Sequence, residues 1–128
     1  LAGAPVFAPP QQVFEAAARA HQAGRIPEAT ALYRQVLSAD ARHAGALSNL
    51  GLLLAEHGDA AEAERMLVEA TRVAPQYTGG FVNLALLLHE RARHDEAIAA
   101  AEAGLALSPG HRTLENLLVS SLGAAGRY

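Results

Sequence analysis

Histidine, serine and paired carboxylates are the side chains in this sequence that could do covalent or metal chemistry. A neutral imidazole is a common metal ligand and a general base near neutral pH. The six histidines are His21, His43, His57, His89, His94 and His111, and none stands four residues from another with a carboxylate to complete a ligand set. His89 and His94, the nearest two, straddle an expected turn, so these residues read as solvated helix-end histidines. Ser38, Ser48, Ser108, Ser120 and Ser121 lack the strand–turn–helix context that sharpens a nucleophile, and the sequence has no glycine-rich phosphate loop. Glu62 and Glu64 point to different helix faces and do not form an acid–base pair. There is no cysteine, hence no thiolate ligand, nucleophile or disulfide framework. The expectation is a chain that is not an enzyme, with no catalytic residues, no metal and no cofactor.

What remains is recognition by side chains that donate and accept hydrogen bonds. Asn49 and Asn83 stand out because they repeat: they are 34 residues apart, and each precedes a leucine, Leu50 or Leu84. An amide offers a donor and an acceptor together. The elements that would position such residues recur with the same period. Glu28-Ala29 returns as Glu62-Ala63 and as Glu96-Ala97, and Gly24 maps to Gly58, Ala92 and Gly126. Leu47, Leu50 and Leu54 map to Phe81, Leu84 and Leu88, and Pro75 maps to Pro109.

Each period divides into two amphipathic helices around a Gly or Ala turn, because apolar residues fall at three-and-four spacing on both sides of it. In the second period the spacing predicts helices over about Ala44 to His57 and Asp59 to Ala74, with Asp59 as a cap and Pro75 as the stop. The third period repeats this from about Thr78 to Ser108. The first does so from about Gln11 to Asp40, with Pro27 tolerated in the opening turn of its helix. A seventh helix begins near His111, with Leu114, Leu118 and Leu122 expected on its apolar face. The fold class is therefore all-α: a solenoid of three full repeats plus one extra helix, which closes the stack by covering its last open face. Repeats are expected over about 10–43, 44–77 and 78–111, with a half repeat over 112–128. The segment 1–9 carries Pro5 and Pro9 and reads as an extended proline-rich arm ahead of the repeat domain 10–128.

These residues resemble the tetratricopeptide repeat family over about Pro10 to Tyr128. The resemblance rests on Leu47, Leu50, Gly51, Leu54, Ala63, Leu67, Ala70 and Pro75 in the second unit, and on Phe81, Leu84, Ala85, Leu88, Ala97, Gly104 and Pro109 in the third. The first unit is looser: Val13, Ala17, Ala29, Tyr33 and Val36 fit, whereas Ala20 and Ala41 depart from the pattern. The third unit carries Ala101 where a larger residue is expected. Small residues at Gly51, Ala63 and Ala70 would let neighbouring helices approach closely.

The resemblance implies a right-handed superhelix whose concave face is lined by the first helix of each unit. Carried over by position, the lining is Phe14, Glu15, Ala18 and His21, then Ser48, Asn49, Leu52 and Glu56. It continues with Val82, Asn83, Leu86, His89 and Glu90, and ends with Asn116, Leu117 and Ser120. Asn49 and Asn83 are similar to the asparagine ladder in the repeats of O-linked N-acetylglucosamine transferases, which holds an extended polypeptide by its main chain. The alternative is that both asparagines cap or bridge neighbouring helices. Leu52, Val82 and Leu86 would give an apolar floor, or else serve inter-helix packing. Flanked by Glu56 and Glu90, such a floor suits a neutral or basic segment. Family members that clamp a terminal carboxylate use lysine and arginine in the groove; here lysine is absent altogether, which disfavours that partner.

The expected function is binding of a protein or extended peptide on the concave face. The alternatives are a substrate-selecting arm of a larger enzyme such as a glycosyltransferase, and a self-assembling scaffold built through the arm or the open face near Tyr128. Thirteen acidic residues against ten basic ones, all arginine, give a formal charge of -3, so nucleic acid is not an expected partner. No apolar run approaches the roughly 20 residues a membrane-crossing helix needs. The chain starts at Leu1 and stops at Tyr128 inside a motif, and reads as a piece of a longer protein. Its richness in Ala, Arg and Gly suggests a bacterial source; the expected compartment is the cytoplasm, with the periplasm as the alternative.

Overall fold

The computed structural model describes residues 8–127, so most of the expected arm and Tyr128 lie outside the described residues. Among the described residues there are seven α-helices: α1 Pro10–Gln22, α2 Ile26–Ala39, α3 Ala44–Glu56, α4 Ala60–Val73, α5 Thr78–Glu90, α6 His94–Leu107 and α7 Arg112–Ala124. They pair in chain order as the hairpins α1/α2, α3/α4 and α5/α6, and α7 packs on both α6 and α5. The first helices also stack on one another, α1 on α3, α3 on α5 and α5 on α7, whereas the backbones of α2, α4 and α6 stay apart and long side chains such as Arg34 and Glu62 span the gap between α2 and α4. The result is a helical solenoid.

Local sequence sets each boundary. Asp59 caps α4 by accepting from the Glu62 N–H at 3.0 Å, and Pro27 sits in the first turn of α2, where its missing N–H removes no helix bond. The tight turns that end the first helices use a left-handed residue: Gly24 has φ +78°, Gly58 φ +110° and Gly126, after α7, φ +70°. Ala92 takes the same place at φ 61° with its Cβ intact. The turn is closed by backbone bonds, Ala92 N–H to His89 O at 3.0 Å and Arg93 N–H to Leu88 O at 2.9 Å. Gly24 and Arg25 make the equivalent pair to His21 and Ala20.

Close approach of the paired helices depends on small residues. A Cβ added at Gly51 would lie 2.7 Å from Leu67 Cγ, and one at Gly104 would lie 2.7 Å from Leu114 Cδ1. The core is accordingly a chain of clusters along the stack. One unites Val13, Ala17, Tyr33, Val36, Leu50 and Leu53; the next unites Leu67, Leu84, Leu88, Ala101, Leu114 and Leu117. Each unit completes the burial of its neighbour, as stacked repeats require. On α7 the buried residues are Leu114, Leu117 and Ser121; of the expected face, Leu114 is fully buried and Leu118 packs against the core from its edge, and Leu122 is half-buried. The reason is that α7 is covered by α5 and α6 alone, so its inner face turns toward them and leaves Leu118 half-buried.

Candidate functional site

On α3, residues Gly45, Asn49, Leu52 and Glu56 follow a four-three-four spacing that holds them on one face of a helix with 3.6 residues per turn. Leu47, Gly51 and Leu54 lie nearly opposite, and Gly51 sits against Leu67 of α4. The first stripe therefore faces away from the paired helix. Gly79, Asn83, Leu86 and Glu90 form the same stripe on α5, and Gln11, Glu15, Ala18 and Gln22 form it on α1. Because α1, α3, α5 and α7 stack side by side, these stripes adjoin and make one continuous surface.

Leu52, Val82 and Leu86 are half-buried on this surface, and Glu15, Glu56, Glu90, Asn116 and Ser120 are exposed. Val82 and Leu86 also pack against the core from its edge. Both asparagines are half-buried. The Asn83 amide donates to Ser48 Oγ at 2.9 Å and to the Ser48 carbonyl at 3.3 Å. Asn49 lies near the Tyr33 phenol, whose pKa burial raises and the nearby Asn49 amide pulls back down. The helix-bridging alternative thus describes the Asn83 amide group in this structure and leaves its side-chain carbonyl oxygen without an assigned bond.

Two of the expected lining residues are corrected. Ser48 is fully buried and receives Asn83, so its hydroxyl is not offered to a ligand. Leu117, 8% exposed, belongs to the core because α7 turns it onto α5. His89 is half-buried, with Nδ1 3.1 Å from Ser121 Oγ and its ring centroid 5.7 Å from that of His94. His94 Nδ1 is buried with no hydrogen-bond partner. At the other end, His21 places Nδ1 3.4 Å from Tyr33 Oη and Nε2 3.5 Å from Glu56 Oε1.

Sequence reasoning missed two histidine roles. His43 caps α3 through Nδ1 on the Ala46 N–H at 3.0 Å and reaches Gln11 with Nε2 at 3.2 Å; His111 receives the Leu114 N–H at 3.4 Å. Their common position immediately before a first helix was the available signal. No group of three or more potential metal ligands occurs among the described residues, and none of the described helices is long and apolar enough to cross a membrane.

A second concavity opens on the other side of the stack, between α4, α5 and α6, with a volume of about 330 Å³ and walls from Val68, Phe81, Ala99 and Ala103. It exists because α6 presents alanines where α4 presents larger residues. Its carboxylates are already neutralised: Arg93 pairs with both Glu64 and Glu96, which raises the arginine pKa and holds Glu96 below the usual carboxylate range.

Residues 20–79 match the tetratricopeptide repeat family. The chain is 35% identical over 114 residues to cellulose synthase 2 operon protein C of Komagataeibacter xylinus, an alignment that takes in 88% of this chain and 9% of that protein. The chain therefore spans a small part of this curated relative's length. Two solved structures share the fold. The first tetratricopeptide domain of Spaghetti, bound to an HSP90 peptide, superposes with a TM-score of 0.86 at 20% identity, covering 91% of this chain and 93% of that one. An O-GlcNAc transferase mutant from Thermobaculum terrenum gives 0.82 at 23% identity, covering 88% of this chain and 22% of the other.

Proposed function

The chain carries tetratricopeptide repeats, and we propose that it binds an extended segment of a partner protein along the stripes of α1, α3, α5 and α7. The observation that carries this reading is the contrast between the inner stripes and the hollow formed by α4, α5 and α6. The outer concavity has its charges paired internally by Arg93. The inner stripes keep half-buried leucines, exposed carboxylates and two half-buried asparagines, of which Asn83 is anchored from behind by Ser48. An anchored amide is a good clamp, since its rotamer is fixed before the ligand arrives and less entropy is lost on binding. A repeat fold of this family commonly serves protein–protein interaction, and the Spaghetti domain with its HSP90 peptide is an instance of the same fold holding a peptide.

The test is a binding measurement on wild type and on the double variant Asn49→Ala, Asn83→Ala, with helicity followed by circular dichroism. The reading expects weakened peptide binding at unchanged helicity. Equal affinities would remove the clamp.

A second reading is favoured by the likeness to cellulose synthase 2 operon protein C. In it, the repeats are one stretch of a long scaffold that serves a polysaccharide synthase, and the bound segment belongs to that machinery. Co-purification of the chain with synthase components would support this, and recovery of unrelated partners alone would count against it.

A further inference from the structure

Resting on the concave-face reading above, we propose that the ligand is a cationic segment in an extended, polyproline-like conformation with a basic residue at every third position. Three observations converge. First, the stripes of α1, α3 and α5 carry Glu15, Glu56 and Glu90 and no arginine, although the chain holds ten arginines. Three of the arginines, Arg34, Arg72 and Arg93, are spent on Glu62, Glu69, Glu64 and Glu96 outside the groove. Second, the Asn83 amide N–H group is used internally, toward the Ser48 hydroxyl and carbonyl, so what Asn83 has left to offer is a carbonyl oxygen. A surface of carboxylates and an amide carbonyl accepts hydrogen bonds, and its complement must donate them. Third, Glu56 keeps 51% of its side chain exposed beside His21, and Glu90 is exposed with no ion pair among the described residues.

The spacing follows from helix packing. Glu56 and Glu90 are equivalent residues on α3 and α5, which pack directly on each other. Packed helices stand about 8–10 Å apart. A polyproline helix rises about 3.1 Å per residue and returns to the same face every three residues, a step of about 9 Å. One basic residue per repeat therefore means one at every third ligand position. A strand with its period of two would present alternate residues at about 6.6 Å and fall out of step.

The experiment uses four fluorescent peptides of equal length built on proline and alanine: arginine at every third position, arginine at every second position, glutamate at every third position, and no charge. Each is titrated with wild type, with Glu56→Gln, with Glu90→Gln, and with the double variant Asn49→Ala, Asn83→Ala. The proposal expects the third-position arginine peptide to bind tightest. It also expects each glutamine variant to weaken that peptide up to about fivefold, the scale of one exposed charge pair, with little effect on the uncharged one. If the asparagine variant weakens every peptide while the glutamine variants change nothing, the groove stands and the cationic class is wrong. Should the two arginine spacings bind alike, the polyproline register falls. Unchanged binding in the asparagine variant, or no binding by any peptide, removes the groove reading and this inference with it.

Discussion

Replacing Ala92 by glycine should stabilise the fold. Ala92 holds φ 61° at the turn between α5 and α6, where Gly24, Gly58 and Gly126 occupy the equivalent places. A left-handed backbone brings the Cβ of an L-residue against its own carbonyl, at about 1–2 kcal/mol. A Cβ built at Gly24, Gly58 or Gly126 meets nothing within 4 Å, so in these turns the penalty is a backbone one with no packing contribution. Against the relief stands the extra freedom of glycine in the unfolded chain, about 0.4–1 kcal/mol. The net is a gain of about 0.5–1 kcal/mol, which for a chain of this size raises Tm by about 2–4 °C. Thermal unfolding followed by circular dichroism reads it directly, and Gly24→Ala supplies the mirror case with a loss of similar size. A Tm for Ala92→Gly equal to or below that of wild type would refute the reasoning and show that something other than backbone geometry governs this turn.

Three further outcomes follow from the packing and the charges. Gly51→Ala should cost about 1–3 kcal/mol in denaturant unfolding, because the new methyl meets fully buried Leu67 at 2.7 Å and the α3/α4 hairpin must open; Gly58→Ser, in open space, should lose only the backbone penalty. Asn83→Ala should cost about 1–3 kcal/mol, since it strands the buried Ser48 hydroxyl, whereas Asn83→Asp keeps the shape and exchanges the donor for a charge. Arg34 grips Glu62 across the two units with bonds of 2.9 and 3.1 Å and holds its carboxyl below the ordinary value of 4.5. A lowered folded pKa means stability that is present above 4.5 and lost as pH falls through the folded value. Urea midpoints for wild type and Glu62→Gln should thus differ at pH 7 and converge in acid; a constant gap would exclude this pair as the source.

The repeat was legible because its signals are local. A glycine at a left-handed turn, Asp59 as a cap and leucines at helical spacing each act within a few residues, and they recur every 34. The surface was legible in part. Four-three-four spacing assigns Leu52, Glu56, Leu86 and Glu90 to one face without reference to anything else. The orientation of the Asn83 amide depended on Ser48, 35 residues earlier on another helix, and no local rule reports that contact. Ser48 itself was misassigned for the same reason, since the Asn83 amide that engages its hydroxyl comes from α5. Leu117 and Leu118 are adjacent, and which of them turns inward was decided by the helices that cover α7. The pairing of Arg93 with Glu64 emerges only when α4 and α6 are placed, since the two residues lie 29 apart on different units.

The account rests on the inner stripes being the binding surface, and the most direct measurement is a titration of the isotopically labelled chain with the third-position arginine peptide, followed by backbone amide shifts. The prediction is that shifts concentrate at Asn49, Leu52, Asn83, Leu86 and Glu90 and leave the outer concavity undisturbed. Shifts concentrated at Val68, Ala99 and Ala103, with the inner stripes silent, would contradict it and move the function to the opposite face.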